Sequence, residues 1–323
     1  MPTVNLGQVA AFIKSVTAKK LAEGAAPTVE NKGTESNAKL EFGLPEVIAK
    51  SHNIPRLVPK DITSYVTDGT LWKRLAGTDG FSLHEDIYVG DYIKMSRPIT
   101  VKGSYDGTQG SQYVTIAGIS TLKGNGDTIT MDYEHLVMVP GQGFGGTQHF
   151  GRQRMNPAND TTGGYKASEM NTTHLGSVVS VGSTDADATI NQQLYAEFGT
   201  HLKTTRELVS NSVDKNSSQN RFPGQSGASN SWEWISAQAI LMSEIECYGS
   251  VAFSSSGFDT GNANHWLPLF QFSNSAKNNR TTYYWLKDVA SSAIFCRADT
   301  GGHSCYSSAS DAYGCVRPRF VIA

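Results

Sequence analysis

The chain has 323 residues, enough for a sizeable core and for one to three domains. Its formal net charge is −2 and no Lys/Arg cluster stands out, which argues against a nucleic-acid partner. Only 17% of residues are charged, while Gly, Ser, Thr, Asn and aromatics are plentiful, so many short strands and long ordered loops are favoured over a helical bundle.

That composition is also the chemistry of binding loops, in which Tyr and Trp give rigid contact area and Ser, Gly and Asn give adaptable hydrogen bonding. Met1 to Lys20 lacks the apolar stretch of a secretory signal. No later segment reaches the roughly 18 apolar residues of a membrane span. Synthesis in the cytoplasm, without membrane insertion, is therefore expected.

Residues 1 to about 50 are polar and low in aromatics. GAAPTVENKGTESNAKLEFGLPE alternates small polar and apolar residues, which reads as short strands that make no core alone and must trimerise, dock or stay extended. SHNIPRLVPK holds two prolines and reads as a linker or a packed extended segment. An attachment or trimerisation segment over 1–58 and a ligand-binding domain over 59–323 follow.

In the second part, LHEDIYVGDYIKM has strand character with a turn or bulge at Gly90-Asp91. QYVTIAGISTL, TITMDY and HLVMVP read as further strands, the first two joined by a turn at Gly124-Asn125-Gly126-Asp127. TGGYKASEMNTTH predicts a short helix with Tyr165 and Met170 inward. A longer helix is predicted over about Ile190 to Val213, with Leu194, Phe198, Leu202, Leu208 and Val209 near the helical period. Glu197, Lys203 and Arg206 would lie outside it, and Asp187 or Asn191 would cap its start. Residues 214 to 231 form a polar loop, too long for a simple connection and therefore functional or mobile. Trp232 and Trp234 bracket a return to strand, ending in LMSEIECYGSVAF.

The chemistry-bearing residues assemble no catalytic pattern: HExxH, GxSxG, a Walker loop and a helix-opening GxGxxG are all absent. Glu244 and Glu246 alternate with apolar residues and read as a solvated strand edge rather than an acid/base pair. His265 beside Trp266 reads as a polar packing residue, and Asp288 with Arg317 as a buried structural pair. Neither an enzyme nor a cofactor is expected. Of the four cysteines, Cys296, Cys305 and Cys315 are about ten residues apart, which fits no zinc spacing even with Asp299 and His303 added. They read as free thiols on a surface.

One stretch stands apart in composition. The 25 residues from Ser291 to Cys315 contain no Lys, Glu, Gln, Met, Trp or Asn, yet hold three of the four cysteines. An asparagine codon AAY whose adenines are replaced by any base becomes NNY, and such codons encode no Lys, Glu, Gln, Met or Trp. Ile294, Cys296, Arg297, Asp299, His303, Cys305, Tyr313 and Cys315 are all reachable that way.

The pattern YYWLKDVASS…F…G…Y…AS…VRPRFVI resembles the C-terminal variable region of diversity-generating retroelement target proteins, and the similarity extends over roughly residues 60 to 323. It includes DIYVGDYI, TTGGYKASEM, HLKTTRELVSN, SWEWISAQAILMSEIECYG and FDTGNANHWLPLF. TVENKGTESNAKLEFGLPE separately resembles the spacer before tips of phage tail fibres, without the collagen Gly-X-Y repeat that often follows. The resemblance implies an α+β, C-type-lectin-like fold and an error-prone reverse transcriptase that rewrites this segment opposite template adenines.

It further implies a display set of Ile294, Cys296, Arg297, Asp299, His303, Cys305, Ser307, Ser308, Asp311, Tyr313 and Cys315. Trp285, Leu286, Phe295, Tyr306, Val316, Arg317 and Phe320 would be the scaffold, with Asp299-Thr300-Gly301-Gly302 turning between two exposed strands. The Glu-Pro-Asn, Gln-Pro-Asp and Trp-Asn-Asp triplets of calcium-dependent lectins are missing, so sugar binding does not follow from the fold. Recognition of a host-cell surface protein or glycan, by a homotrimer on a virion, is the expected function. A cellular variable adhesin using the same retroelement and a tail protein that is not diversified are the alternatives.

Overall fold

The structure, a computed structural model, describes residues 13–21, 28–32, 38–45, 53–78, 83, 86–128, 131–212, 231–254, 266–277 and 282–323. It divides into Met1–His52 and Asn53–Ala323. In the first unit β1 (Ile13–Leu21) runs parallel to β3 (Ala38–Pro45), and β2 (Thr28–Asn31) pairs antiparallel with the other edge of β3. All four β2 residues are exposed.

The boundary falls at 52/53 rather than 58/59, because the proline-bearing segment is stapled to the second unit. Asn53 donates to Ile119 O (2.9 Å) and accepts from Ile119 N–H (2.7 Å). The Arg56 guanidinium holds the buried Asp91 carboxylate at 3.0 Å, and Asp91 also accepts from Lys60 N–H.

The second unit is α+β. Its central sheet has the order β10 (Ala239–Leu241), β14 (Pro318–Ile322), β6 (Leu136–Pro140), β5 (Tyr113–Ile119) and β4 (Tyr92–Lys94). The short β7 (Leu202–Lys203) pairs with the C-terminal end of β14. Every residue of β6 and β14 is buried, so both strands are covered on both faces; β6 is a continuous apolar run, while β14 carries Arg319 among apolar residues. Helices α1 (Thr63–Thr67), α2 (Thr70–Ala76), α3 (Gly164–Ala167), α4 (Ile190–Phe198), α5 (Glu244–Tyr248), α6 (Pro268–Phe272) and α7 (Asn274–Lys277) are all short. Tyr165 of α3 is fully buried, as is Met170 in the wide turn that follows, and the Tyr165 hydroxyl accepts from Leu241 N–H.

Three expected elements differ. The long helix stops at Phe198, where Gly199 takes φ +55°, and the chain becomes β7 and then β8 (Thr205–Ser212), paired antiparallel with β9 (Ser231–Ala237). The apolar residues after the glycine belong to strands, where Thr and Val are at home. Thr189, not Asp187 or Asn191, caps α4, in a capping box with Gln192. Asn191 is buried instead and holds Gly176 O and Ala239 N–H. TITMDY supplies no strand over its described residues, since side chains close that connection: Leu122 N–H donates to His135 Nε2 at 3.1 Å. The loop 214–230 and His265 lie outside the described residues.

Candidate functional site

The compositionally odd run forms a hairpin on a buried strand. β11 (Tyr284–Ser291) is buried at all eight positions, β12 (Ile294–Ala298) pairs antiparallel with it, and β13 (Ser304–Ser308) pairs antiparallel with β12. The turn follows from its side chain. The Asp299 carboxylate accepts from the N–H groups of Gly301 (2.8 Å) and His303 (2.9 Å), while Gly302 at φ +81° closes onto Asp299 O. Trp285 N–H donates to Cys315 O and Cys315 N–H to Tyr283 O, so the end of the run flanks the other edge of β11.

Register divides the candidate residues between two faces, because residues directly opposite in adjacent strands share a face. Phe295 with Ser307, and Arg297 with Cys305, lie on the side of Trp285. There the Arg297 guanidinium stacks 4.0 Å from the Tyr283 ring and donates to Tyr306 O, and Ser307 donates to Asp311 at 2.9 Å. Tyr313 extends this side, its hydroxyl 3.0 Å from that of Tyr105, a residue outside the run. Ile294 with Ser308, Cys296 with Tyr306, and Ala298 with Ser304 occupy the other face. That face packs toward α5 and Phe253, the Phe253 ring meeting Tyr306 edge-on at 5.1 Å. His303 projects from the turn, 80% exposed.

Three expected roles are corrected. Cys296 and Cys315 are fully buried and belong to the scaffold, as β12 is covered on both faces and period-two alternation does not expose every second residue. Burial raises the Cys296 thiol far above its ordinary range and pushes Cys315 up to about 12, so neither is a reactive surface thiol. None of the four cysteines is in a disulfide, and of the three in the run only Cys305 is partly exposed. Tyr306 goes the other way: it is 39% exposed and belongs with the displayed residues, on the face toward Phe253. Among the described residues no group of three or more His, Cys, Asp or Glu is placed to hold a metal ion.

The remaining scaffold residues are buried: Trp285, Leu286, Phe295, Val316, Arg317 and Phe320. Trp285 Nε1–H donates to Gln153 O at 2.7 Å. Ala309 is buried too, its N–H on Ala293 O. Arg317 does not pair with Asp288. It donates to Ala276 O and lies over the Phe270 and Tyr284 rings.

The charges beneath the hairpin form a buried network. Arg319 makes a bidentate pair with Glu207 (2.9 and 2.6 Å) and donates through Nε to Glu246, with Lys287 Nζ 3.7 Å from Glu207. Burial opposes the Glu207 charge, but Arg319 and Lys287 hold its carboxyl down at about 2. Glu244 and Glu246 are thus no solvated edge. Ser243 and Glu246 form a capping box that starts α5, and both glutamates are buried. The Glu244 carboxylate accepts from Ser254 N–H (2.9 Å), Ser254 Oγ (2.6 Å) and Ser304 Oγ (2.6 Å), tying β13 to the network.

Asp288 accepts from Glu244 N–H, and burial, then the Glu244 charge, raises its carboxyl to about 7. A carboxyl raised in the folded state binds its proton there while the unfolded chain has released it. Its contribution to stability is therefore full below about pH 4 and is lost as pH rises through about 7. Asp288→Asn is expected to exceed the parent in stability at pH 8, on the order of 2 kcal/mol, with the advantage vanishing near pH 4. Urea unfolding of both proteins across this range checks it; a pH-independent difference would contradict the assignment.

Comparison with known proteins adds no relative: no family model, no curated protein and no solved structure matches this chain.

Proposed function

We propose that the protein is a receptor-binding protein whose hairpin β12–β13 displays a retroelement-diversified surface. Its setting is a phage tail-fibre tip and its ligand a host-cell surface protein or glycan. The domain is read as C-type-lectin-like and the assembly as a homotrimer, on the resemblance carried by the YYWLKDVASS and VRPRFVI flanks. The observation that carries this reading is a coincidence of two boundaries. The stretch with the skewed composition begins in the last residue of a fully buried strand and ends just before another, β14. Between them lie Ile294, Arg297, Asp299, His303, Cys305, Tyr306, Ser307, Ser308, Asp311 and Tyr313, all at least partly exposed.

Side chains on such a hairpin change without moving the backbone, because the strands are held by ladder bonds and buried anchors; Asp299, whose carboxylate holds the turn, is the exception and is expected to vary least. Modest affinity per head is then raised by the number of heads engaged at once. The test is the DNA beside the gene. A near-identical repeat of the 291–315 coding stretch, differing mainly at adenines and accompanied by a reverse-transcriptase gene, is expected. Absence of both would overturn diversification, and tail genes nearby separate a virion protein from a cellular adhesin.

A further inference from the structure

A residue outside the run lies on its display side. Tyr105 is 38% exposed and Tyr313 54%; their rings are tilted against each other with centroids 4.6 Å apart, and their hydroxyls meet at 3.0 Å. Asp311 joins this pair to β13, accepting from Ser307 Oγ (2.9 Å) and from Tyr313 N–H (3.0 Å). The exposed surface of the hairpin thus continues onto the segment 101–108.

That segment keeps its shape whatever side chain stands at position 313. Tyr105 N–H donates to Arg152 O at 2.8 Å, Val101 N–H to Phe150 O at 2.7 Å and Gln153 Nε2 to Gly103 O at 2.9 Å. Ser104 Oγ donates to Thr108 O and accepts from Arg152 N–H, while Arg152 pairs with Asp106 at 2.8 Å. The stretch 150–153 is bonded in turn to the buried frame: Phe150 N–H donates to Val316 O, and Gln153 O accepts from Trp285 Nε1–H. None of these bonds uses a side chain of the run 291–315. Replacing Tyr313 removes one hydroxyl partner from Tyr105 and leaves its backbone anchored.

The chemistry of this constant rim favours one class of ligand. A tyrosine ring offers broad, rigid, amphipathic area for two rotatable bonds, and its hydroxyl donates or accepts, so it suits many different protein surfaces. The charges beside it, Asp106 and Arg152, answer each other, so the pair offers no net charge to an ionic polymer. We propose that Tyr105 is an invariant contact residue for a protein ligand, held ready beside a changing hairpin. On the display reading above, which this role presupposes, each hairpin variant supplies specificity and Tyr105 supplies contact area common to all.

The full chain, randomised with NNY codons at Arg297, His303, Cys305, Ser307, Ser308 and Tyr313, is displayed and selected separately on lysozyme, ribonuclease A, streptavidin and neutral dextran. In most protein-selected binders Tyr105→Ala is expected to weaken binding at least about tenfold. Tyr133→Ala, at a 39% exposed ring between β5 and β6, is expected to leave it unchanged. Benzoylphenylalanine introduced in place of Tyr105 is expected to crosslink to the bound protein, which a residue acting only by supporting Tyr313 would not do. Binding indifferent to Tyr105→Ala, or a loss without a crosslink, overturns the role of Tyr105 and leaves the displayed hairpin standing. Binders raised on dextran alone overturn the protein assignment. A library that yields no binder to any target overturns the display reading itself, and this role with it.

Discussion

Arg319→Met is expected to lower the unfolding free energy by about 3–5 kcal/mol, the cost of stranding a buried charge partner. Arg319 is 2% exposed between Glu207 and Glu246, and Glu244 and Asp288 are buried beside them. Four buried carboxyl groups then face Lys287 alone among these side chains. Burial works against the guanidinium charge, yet Glu207 and Glu246 hold it above even its ordinary value, so it remains a cation at any practical pH. The comparison is Arg206→Met, which breaks a more open pair with Asp127 and is expected to cost less than about 1 kcal/mol. Urea denaturation of the two variants checks this. Equal losses would mean that the network is not what locks β8, α5, β11 and β14 together.

Trp285→Ala is the second large effect, at about 3–5 kcal/mol. The indole is fully buried, meets Tyr283 edge-on and donates to Gln153 O. Gly314 lies against it so closely that an added Cβ would sit 2.1 Å from Trp285 Nε1, and Gly314→Ala is expected to disturb the same anchor. By contrast His303→Ala and Ser308→Ala are expected to stay within about 0.5 kcal/mol of the parent. Thermal melts of the four variants separate scaffold from display. A display substitution as damaging as Trp285→Ala would remove the physical basis for tolerating many side chains on this hairpin.

The hairpin was largely legible from sequence because its signals are local. DTGG between two short runs specifies a turn, and Phe295, the largest apolar residue of its run, marks an inward position. Exposure was less legible. Alternation assigns Cys296 outward only if one face of β12 is open, and whether α5 covers that face is decided by residues some fifty positions upstream. The same distance hid the charge network, since Glu207, Glu246, Lys287 and Arg319 become partners only through the pairing of separate strands. A local hint existed in VRPRFVI, where Arg319 sits inside an otherwise apolar strand, with Arg317 just before it, and so requires a buried partner. The overlong helix arose from Leu202, Leu208 and Val209 extending an apolar pattern past Gly199, which was the stop signal.

Under the proposed diversification, mutation and selection treat residues 291–315 differently from their frame. Deep sequencing of this gene from a propagated lineage tests it most directly. Base changes confined to the 291–315 codons, concentrated at Arg297, His303, Cys305, Ser307, Ser308 and Tyr313 and absent from Tyr284–Ala290 and Val316–Ile322, are the predicted result. Changes spread evenly across the hairpin and its buried flanks, or an invariant hairpin in every descendant, would contradict it.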